Sequence, residues 1–410
     1  MSHTRRQFLG GLSFVSLSLG MPQFLMRAAT AQSAPGGAGK ILVVLEMSGG
    51  NDGLNTVIPI TDPEYAKARP NIQVKESDAV KVSSKLALHP GLKSMGAMFE
   101  SGQVAIVNGA GYPHPNRSHF ESMDIWQSGN PNLSNVERTG WMARYFDHDG
   151  HLKSDPLSGV TLGSSLPLAL WKEASPVSVI GNANDFGFSN RANDRDKQNA
   201  ALRDLYAQGT VSNGPGEFVR SVGAETFQSS DVVREAIKKY DVKAGDAANY
   251  PRYNALGESL QTVARLISGG VPTKIYYVSI GGFDTHANQP WQHGNVLSQV
   301  SEAVAAFFRD LKLQNRDRDV LLMTFSEFGR RVHENGSGGT DHGAAGPMFI
   351  VGSGIKGGVH SEYPSLSDLD DGDLKYSVDF RSVYATVLEK WLRTDSSSVL
   401  GGSFKTLPFV

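Results

Sequence analysis

Five short segments carry the residue types that do metal, acid–base or anion chemistry. They are Asn51-Asp52, Asn116-Arg117-Ser118-His119, Asp284-Thr285-His286, Ser326-Glu327 with Arg330 and Arg331, and Thr340-Asp341-His342. Carboxylates and imidazoles without thiols suit a hard or borderline divalent metal ion, so zinc, manganese, magnesium and calcium are the candidate cofactors. Asp52, Asp284, His286, Asp341 and His342 are the candidate metal ligands. Ser118 is a candidate nucleophile and Glu327 a candidate general base, while Arg117 and Arg330 have the planar fork that grips an oxyanion.

Segments so far apart in the chain meet only if the fold brings them together. Continuous apolar runs lie at residues 40–46, 104–108, 275–280, 320–325 and 348–351, and each ends in a Gly-containing turn. Runs with no polar alternation suit strands covered on both faces, which is the condition of a mainly parallel sheet. Between them, apolar residues recur at helical spacing, as in Leu92/Met95/Phe99, Leu256/Leu260/Val263/Ile267, Val296/Val300/Val304/Phe307/Leu311 and Val383/Val387/Trp391. The alternation predicts an α/β fold with helices on both faces of the sheet. In such folds ligands bind beyond the carboxyl ends of the strands, and four of the five polar segments follow a strand end. The fifth precedes the last run and has to fold back to join them. Residues 130–254 are more polar and less periodic, and read as an insertion or cap on a single domain spanning 40–410.

Each segment also has a plainer assignment. Asp52 and Asp284 could cap helices or close turns, and Asp341-His342 could make loop hydrogen bonds. Ser118 could open the helix that follows, and Arg330 and Arg331 could be surface or carboxylate-paired residues.

The chain has 410 residues, 40% hydrophobic and 20% charged, with 45 Gly and no Cys, enough apolar material for a sizeable core. The absence of cysteine excludes disulfide scaffolds, thiolate metal sites and thiol nucleophiles. A formal charge of −2 gives no electrostatic case for nucleic acid. At the N-terminus, Arg5-Arg6-Gln7-Phe8-Leu9 precedes a Gly- and Ser-diluted apolar stretch and Ala29-Thr30-Ala31. Paired arginines ahead of a mild hydrophobic region and a small-residue cleavage site form the twin-arginine export pattern. Residues 1–31 are therefore read as a signal peptide, with the twin-arginine translocase as partner, a periplasmic or otherwise exported location and no permanent membrane span. Its removal takes three arginines and no acid, leaving a charge of about −5.

Residues 48–56, 116–127, 282–289, 323–331 and 339–343 closely resemble a large bacterial family of twin-arginine-exported proteins known as domain of unknown function 1501. That resemblance spans most of the chain. It implies the alkaline phosphatase–sulfatase superfamily, with a three-layer α/β/α sandwich and, in active members, a divalent-metal site that attacks phosphate or sulfate esters. It makes Asp52 the first metal-ligand aspartate, Asp284 and His286 the aspartate–histidine group of one metal, and His342 the late histidine that completes it. Ser326-Glu327 stands where active members carry an Asp-His pair. Residues 113–117 only faintly echo the sulfatase nucleophile motif, with Pro113 at the nucleophile position, so Ser118 is the best remaining hydroxyl, ahead of Thr56.

Two functions follow from this reading. One is an exported metal-dependent hydrolase acting on an anionic ester. The other is a non-catalytic exported binding or assembly protein on a fold whose site has eroded. An oxidoreductase is set aside, because residues 48–53 lack the G-x-G-x-x-G spacing.

Overall fold

The computed structural model describes residues 39–132, 139–148, 152, 155–173, 177–181, 195–208 and 215–410. The export segment assigned to residues 1–31 lies outside these described residues.

The central sheet has nine strands: β1 Ile41–Met47, β2 Val104–Gly111, β3 Gly159–Leu162, β4 Ser178–Ile180, β5 Ile275–Ile280, β6 Val320–Phe325, β7 Gly346–Val351, β8 Gly358–Val359 and β9 Val378–Asp379. Their spatial order is β8-β2-β7-β6-β1-β5-β3-β4, with β9 also paired to β2. β1 sits at the centre, parallel to both neighbours, with Val44 opposite Tyr277 on β5 and Met323 on β6. Among the described strands of this sheet only β7 runs the other way, antiparallel to both β2 and β6.

The continuous apolar runs are explained by burial on both faces. Successive strand residues point to opposite sides, so Ile41, Val43 and Leu45 enter one core while Leu42 and Val44 enter the other. Each fully buried Val or Leu contributes about 1.5–3 kcal/mol. The flanking helices are α1 Lys93–Glu100, α2 His119–Ser128, α3 Trp141–Asp147, α4 Arg195–Gln208, α5 Pro215–Lys239, α6 Ala255–Ser268, α7 Gln289–Leu313 and α8 Phe380–Thr386. The apolar stripes of α1, α6 and α7 cover the first core, through residues such as Met95, Leu260, Val263, Val300 and Phe307. α2, α3 and α8 cover the second, through Ile125, Trp126, Trp141, Phe146, Phe380 and Val383. The architecture is a three-layer α/β/α sandwich with a mostly parallel sheet.

The described parts of residues 130–254 belong to the sheet and to both helical layers. β3 and β4 extend the sheet beyond β5, α3 joins the second helical layer, and Val233 and Ala236 of α5 enter the first core. Among the described residues no helix is long and apolar enough to cross a membrane.

Candidate metal centre

The loops after β1, β2, β5 and β6 meet at one edge of the sheet. The fifth polar segment has no need to fold back. Because β7 is antiparallel, the chain enters it at the edge where its neighbours end, and residues 340–345 arrive there directly. The loops are stitched by backbone: Thr340 N–H donates to Thr285 O at 3.2 Å, Gly329 N–H to Ala344 O at 2.7 Å, and Gly343 N–H to Gly329 O at 2.9 Å. Arg330 and His342 form an isolated antiparallel bridge. The approach is so close that a Cβ on Gly339 would lie 2.3 Å from the carbonyl carbon of His286, which explains a glycine there. Gly49 combines a φ of +118° with a position where a Cβ would lie 2.5 Å from Asp284 N.

Three imidazoles converge on Asp284 at this junction. Asp284 Oδ1 lies 3.1 Å from His286 Nε2, 3.3 Å from His342 Nε2 and 3.7 Å from His119 Nε2. The Nε2 atoms of His286 and His342 are 3.0 Å apart. In each ring the other nitrogen faces an oxygen acceptor. His119 Nδ1–H donates to Glu327 Oε1 at 2.8 Å, His286 Nδ1–H to Asp341 Oδ1 at 3.2 Å, and His342 Nδ1–H to the Arg117 carbonyl at 2.9 Å. An acceptor at Nδ1 holds the proton there and leaves the Nε2 lone pair for a ligand, which is how metal-binding histidines are oriented.

The electrostatics favour the ligating forms. Burial pushes the Asp284 carboxyl up, but the Arg330 guanidinium, His286 and His342 outweigh it and hold the carboxyl below its ordinary value. Burial, aided by Arg330 and His119, pushes the His342 imidazole below its ordinary value against the Arg117 carbonyl and Asp284, so the ring is neutral at pH 7. A hydrogen bond from Asn335, together with His286, holds Asp341 below its ordinary value despite partial burial.

Arg330 is fully buried and spends its guanidinium on the protein. It donates to the carbonyls of Gly50 (2.7 Å), Thr340 (2.9 Å), Phe283 (3.1 Å) and Gly49, and to Asp284 Oδ1 at 2.6 Å. The group ties four loops together and has no fork left over for a substrate anion. Glu327 is likewise buried. Its Oε1 accepts from Gly49 N–H and His119 Nδ1–H, both at 2.8 Å, and its Oε2 from the Ser326 hydroxyl at 3.1 Å.

Of the residues singled out in the sequence, Asp284, His286 and His342 are brought together, with Glu327, Asp341, Arg330 and the Arg117 carbonyl around them. Asp52 is placed apart from the cluster. It is fully buried and gripped by Arg69, whose Nη1 and Nη2 lie 2.5 Å and 3.1 Å from its two oxygens. Burial raises its pKa, yet Arg69 outweighs this and keeps it ionised and below the ordinary carboxylate value. Thr56 is buried and donates to Asn51 and to the Asp52 carbonyl. Ser118 begins α2 but its hydroxyl makes no capping hydrogen bond. The side chain of Arg117 turns away from the histidines to Asp371 and Asp373 of a short hairpin.

His119 is the member of the cluster that the sequence reading left out. Its place one residue after Ser118 made it look like part of a helix opening. The signal was its position after β2 at the same rim as the other polar segments.

The cluster adjoins a cleft of about 640 Å³, lined in part by Tyr112, Arg117, Phe328, Asp371, Asp373 and Tyr376. Phe328 separates the two, with its ring 4.7 Å from that of His342 and 4.9 Å from that of His119. Three imidazole nitrogens and a carboxylate oxygen are a donor set that zinc accepts and that other borderline divalent ions share. The ligand atoms of His119, Asp284 and His342 all lie within 4.8 Å of one another, so the residues fit a metal ion.

Several solved structures are similar to this chain at low identity. One is the C-terminal periplasmic domain of EcEptC from Escherichia coli in complex with Zn, at 10% identity, 77% of this chain, 74% of that chain and a TM-score of 0.35. Another is the PsFucS1 sulfatase from Pseudoalteromonas sp., at 10% identity, 93% and 72% coverage and a TM-score of 0.38. A third is the alkaline phosphatase from the Antarctic bacterium TAB5, at 11% identity, 77% and 92% coverage and a TM-score of 0.29. No curated protein matches the chain. The sequence pattern of one family, described as "Protein of unknown function (DUF1501)", matches residues 79–401, and the chain belongs to that family.

Proposed function

We propose that His119, Asp284, His286 and His342 hold one divalent metal ion, zinc or manganese foremost, in an exported hydrolase of phosphate or sulfate esters. The observation that carries the metal is the shared orientation of the three imidazoles. Each Nδ1 faces an oxygen of Glu327, Asp341 or Arg117, and each Nε2 faces Asp284. The ester substrate class rests on the family resemblance.

In this reading a bound cation supplies the charge that polarises the scissile ester. The chain's own residues do the rest. Glu327 keeps a proton on His119 Nδ1, and Asp341 does the same for His286. The Arg117 carbonyl fixes His342, while its guanidinium forms a wall of the cleft that takes the organic part of the ester. Ser118, whose hydroxyl is not used in capping, is the hydroxyl available as nucleophile.

Elemental analysis of protein purified without chelator, beside a screen of nitrophenyl phosphate, bis(nitrophenyl) phosphate and nitrophenyl sulfate with added zinc or manganese, tests the proposal. Near-stoichiometric metal and turnover that disappear together in Asp284→Ala and His342→Ala support it. Metal-free protein that gains no stability from either ion ends it.

One observation favours the second reading, a non-catalytic binding or assembly protein. The Arg330 guanidinium stands 2.6 Å from Asp284 Oδ1, the oxygen on which the imidazoles converge. In that reading the histidines and Arg330 form a charge lock between loops. Metal binding without turnover on any of the three ester classes would favour it.

A further inference from the structure

Gln289 opens α7 and belongs to the Asp284–Gln289 segment whose first half supplies two of the cluster residues. Its side chain is fully buried. The amide nitrogen donates to Asp52 Oδ2, and the amide oxygen accepts from Thr340 Oγ1 at 2.7 Å and from Thr285 Oγ1 at 3.1 Å. Thr285 stands between Asp284 and His286, and Thr340 stands two residues before His342. One amide therefore joins the two loops that carry three of the four cluster residues.

The orientation of that amide is fixed by its surroundings. Asp52, ionised and gripped by Arg69, can only accept hydrogen bonds, so the NH₂ end of Gln289 must face it. The carbonyl end then faces both threonine hydroxyls, which must donate. Reversing the amide would set its oxygen against a buried carboxylate with no proton between them, which the threonine hydroxyls, able to donate or accept, could not offset. Backbone bonds reinforce the arrangement, from Gln289 N–H to Gly338 O at 3.0 Å and from Thr340 N–H to Thr285 O at 3.2 Å.

We infer that Gln289 is a positioning residue for the metal centre, holding the 284–286 and 340–342 loops in register on the buried Asp52–Arg69 pair. This rests on the metal reading proposed above. Asp52 then acts two bonds away from the cluster: it orients the amide that orients the loops. Outer groups of this kind change metal affinity by about 10–100-fold when removed.

Cobalt(II) titration tests the inference, because the visible bands of cobalt report both affinity and ligand geometry. Gln289→Met keeps the length of the side chain and removes both ends of the clamp. It is expected to bind cobalt about 10-fold or more weakly, with altered visible bands; it also unfolds at lower urea, because buried Asp52 loses a donor, so binding is compared under conditions where circular dichroism shows both proteins folded. Thr285→Val and Thr340→Val remove one donor each without changing volume. Each should weaken binding less, and neither should weaken it further in the Gln289→Met background. If Gln289→Met does not fold, the two valine variants carry the test alone, and each must weaken cobalt binding. Parent-like affinity and bands in the folded variants, or effects that simply add, overturn the inference and leave the metal reading standing. A parent protein that binds neither cobalt nor zinc overturns both.

Discussion

His119 Nδ1 lies 2.8 Å from Glu327 Oε1, and this one contact turns the opposite nitrogen of the ring toward Asp284. Glu327 is itself pinned by Gly49 N–H and by the Ser326 hydroxyl. A rigid carboxylate behind an imidazole fixes its tautomer and raises its basicity as a ligand. Glu327→Gln keeps the shape and an acceptor oxygen but removes the charge, so zinc affinity should fall about 10-fold. Glu327→Ala also orphans Gly49 N–H and should cost more in affinity and in stability. Competition with a chromogenic chelator reads both variants, and equal zinc affinity in parent and Glu327→Gln would show that the carboxylate does not tune the ring.

Gly339 separates stability from site assembly. The backbone of His286 passes so near that any side chain at 339 would push the two loops apart, although Gly339 does not have a positive φ. The nearest atoms to such a side chain belong to the backbone of Thr285 and His286, which lie outside the two hydrophobic cores. Gly339→Ala should therefore shift the urea midpoint only slightly while lowering zinc affinity by at least about 10-fold, the scale seen when ligand positioning is lost. A variant that binds zinc as tightly as the parent would mean that the loops can separate without moving His286.

Arg330 makes the opposite kind of prediction. Removing its guanidinium strands the carbonyls of Gly49, Gly50 and Thr340, while Phe283 O keeps its bond from Thr285 N–H, and a buried group left without its partner costs about 1–3 kcal/mol. Arg330→Met should thus lose at least about 3 kcal/mol in denaturant unfolding of the metal-free protein. Arg330→Lys should recover only part of it, because an ammonium has three donors in place of five. A folded Arg330→Met with unchanged stability but weakened anion binding would return the residue to the substrate-gripping role suggested by its sequence.

The contrast between Arg330 and His119 shows what the sequence carried. Residue periodicity located β1, β5 and β6 and the stripes of α6 and α7, because burial on one or both faces leaves a direct pattern in the order of apolar residues. It carried no strand direction, and the direction of β7 decides how His342 reaches the rim. Asp52 reads locally as a turn residue or ligand, and only the fold brings Arg69 and Gln289 against it. Two adjacent arginines look like surface residues, yet Arg330 is enclosed because four carbonyls from three separate loops face it. Local composition marks which residues are polar. Which of them share a partner depends on contacts hundreds of residues apart.

Acid sensitivity is the last consequence, and it involves His89 and His293, which lie in the buried network behind the cluster. Burial pushes the His89 imidazole down to about 4 and that of His293 down to about 3, against the opposing pull of Asp52. In an unfolded chain histidine titrates near about 6.5. Between those values the unfolded chain binds protons that the folded protein refuses, so stability is complete above about pH 6.5 and declines as the pH falls toward 4. His89 also caps a helical turn, its Nδ1 accepting from Gly91 N–H at 3.0 Å. His89→Asn keeps an acceptor for that cap and removes the titrating ring. Between pH 7 and pH 4.5 it should lose about 2 kcal/mol less than the parent in urea unfolding. Equal losses in the two proteins would show that His89 takes up its proton in the folded state as readily as in the unfolded one.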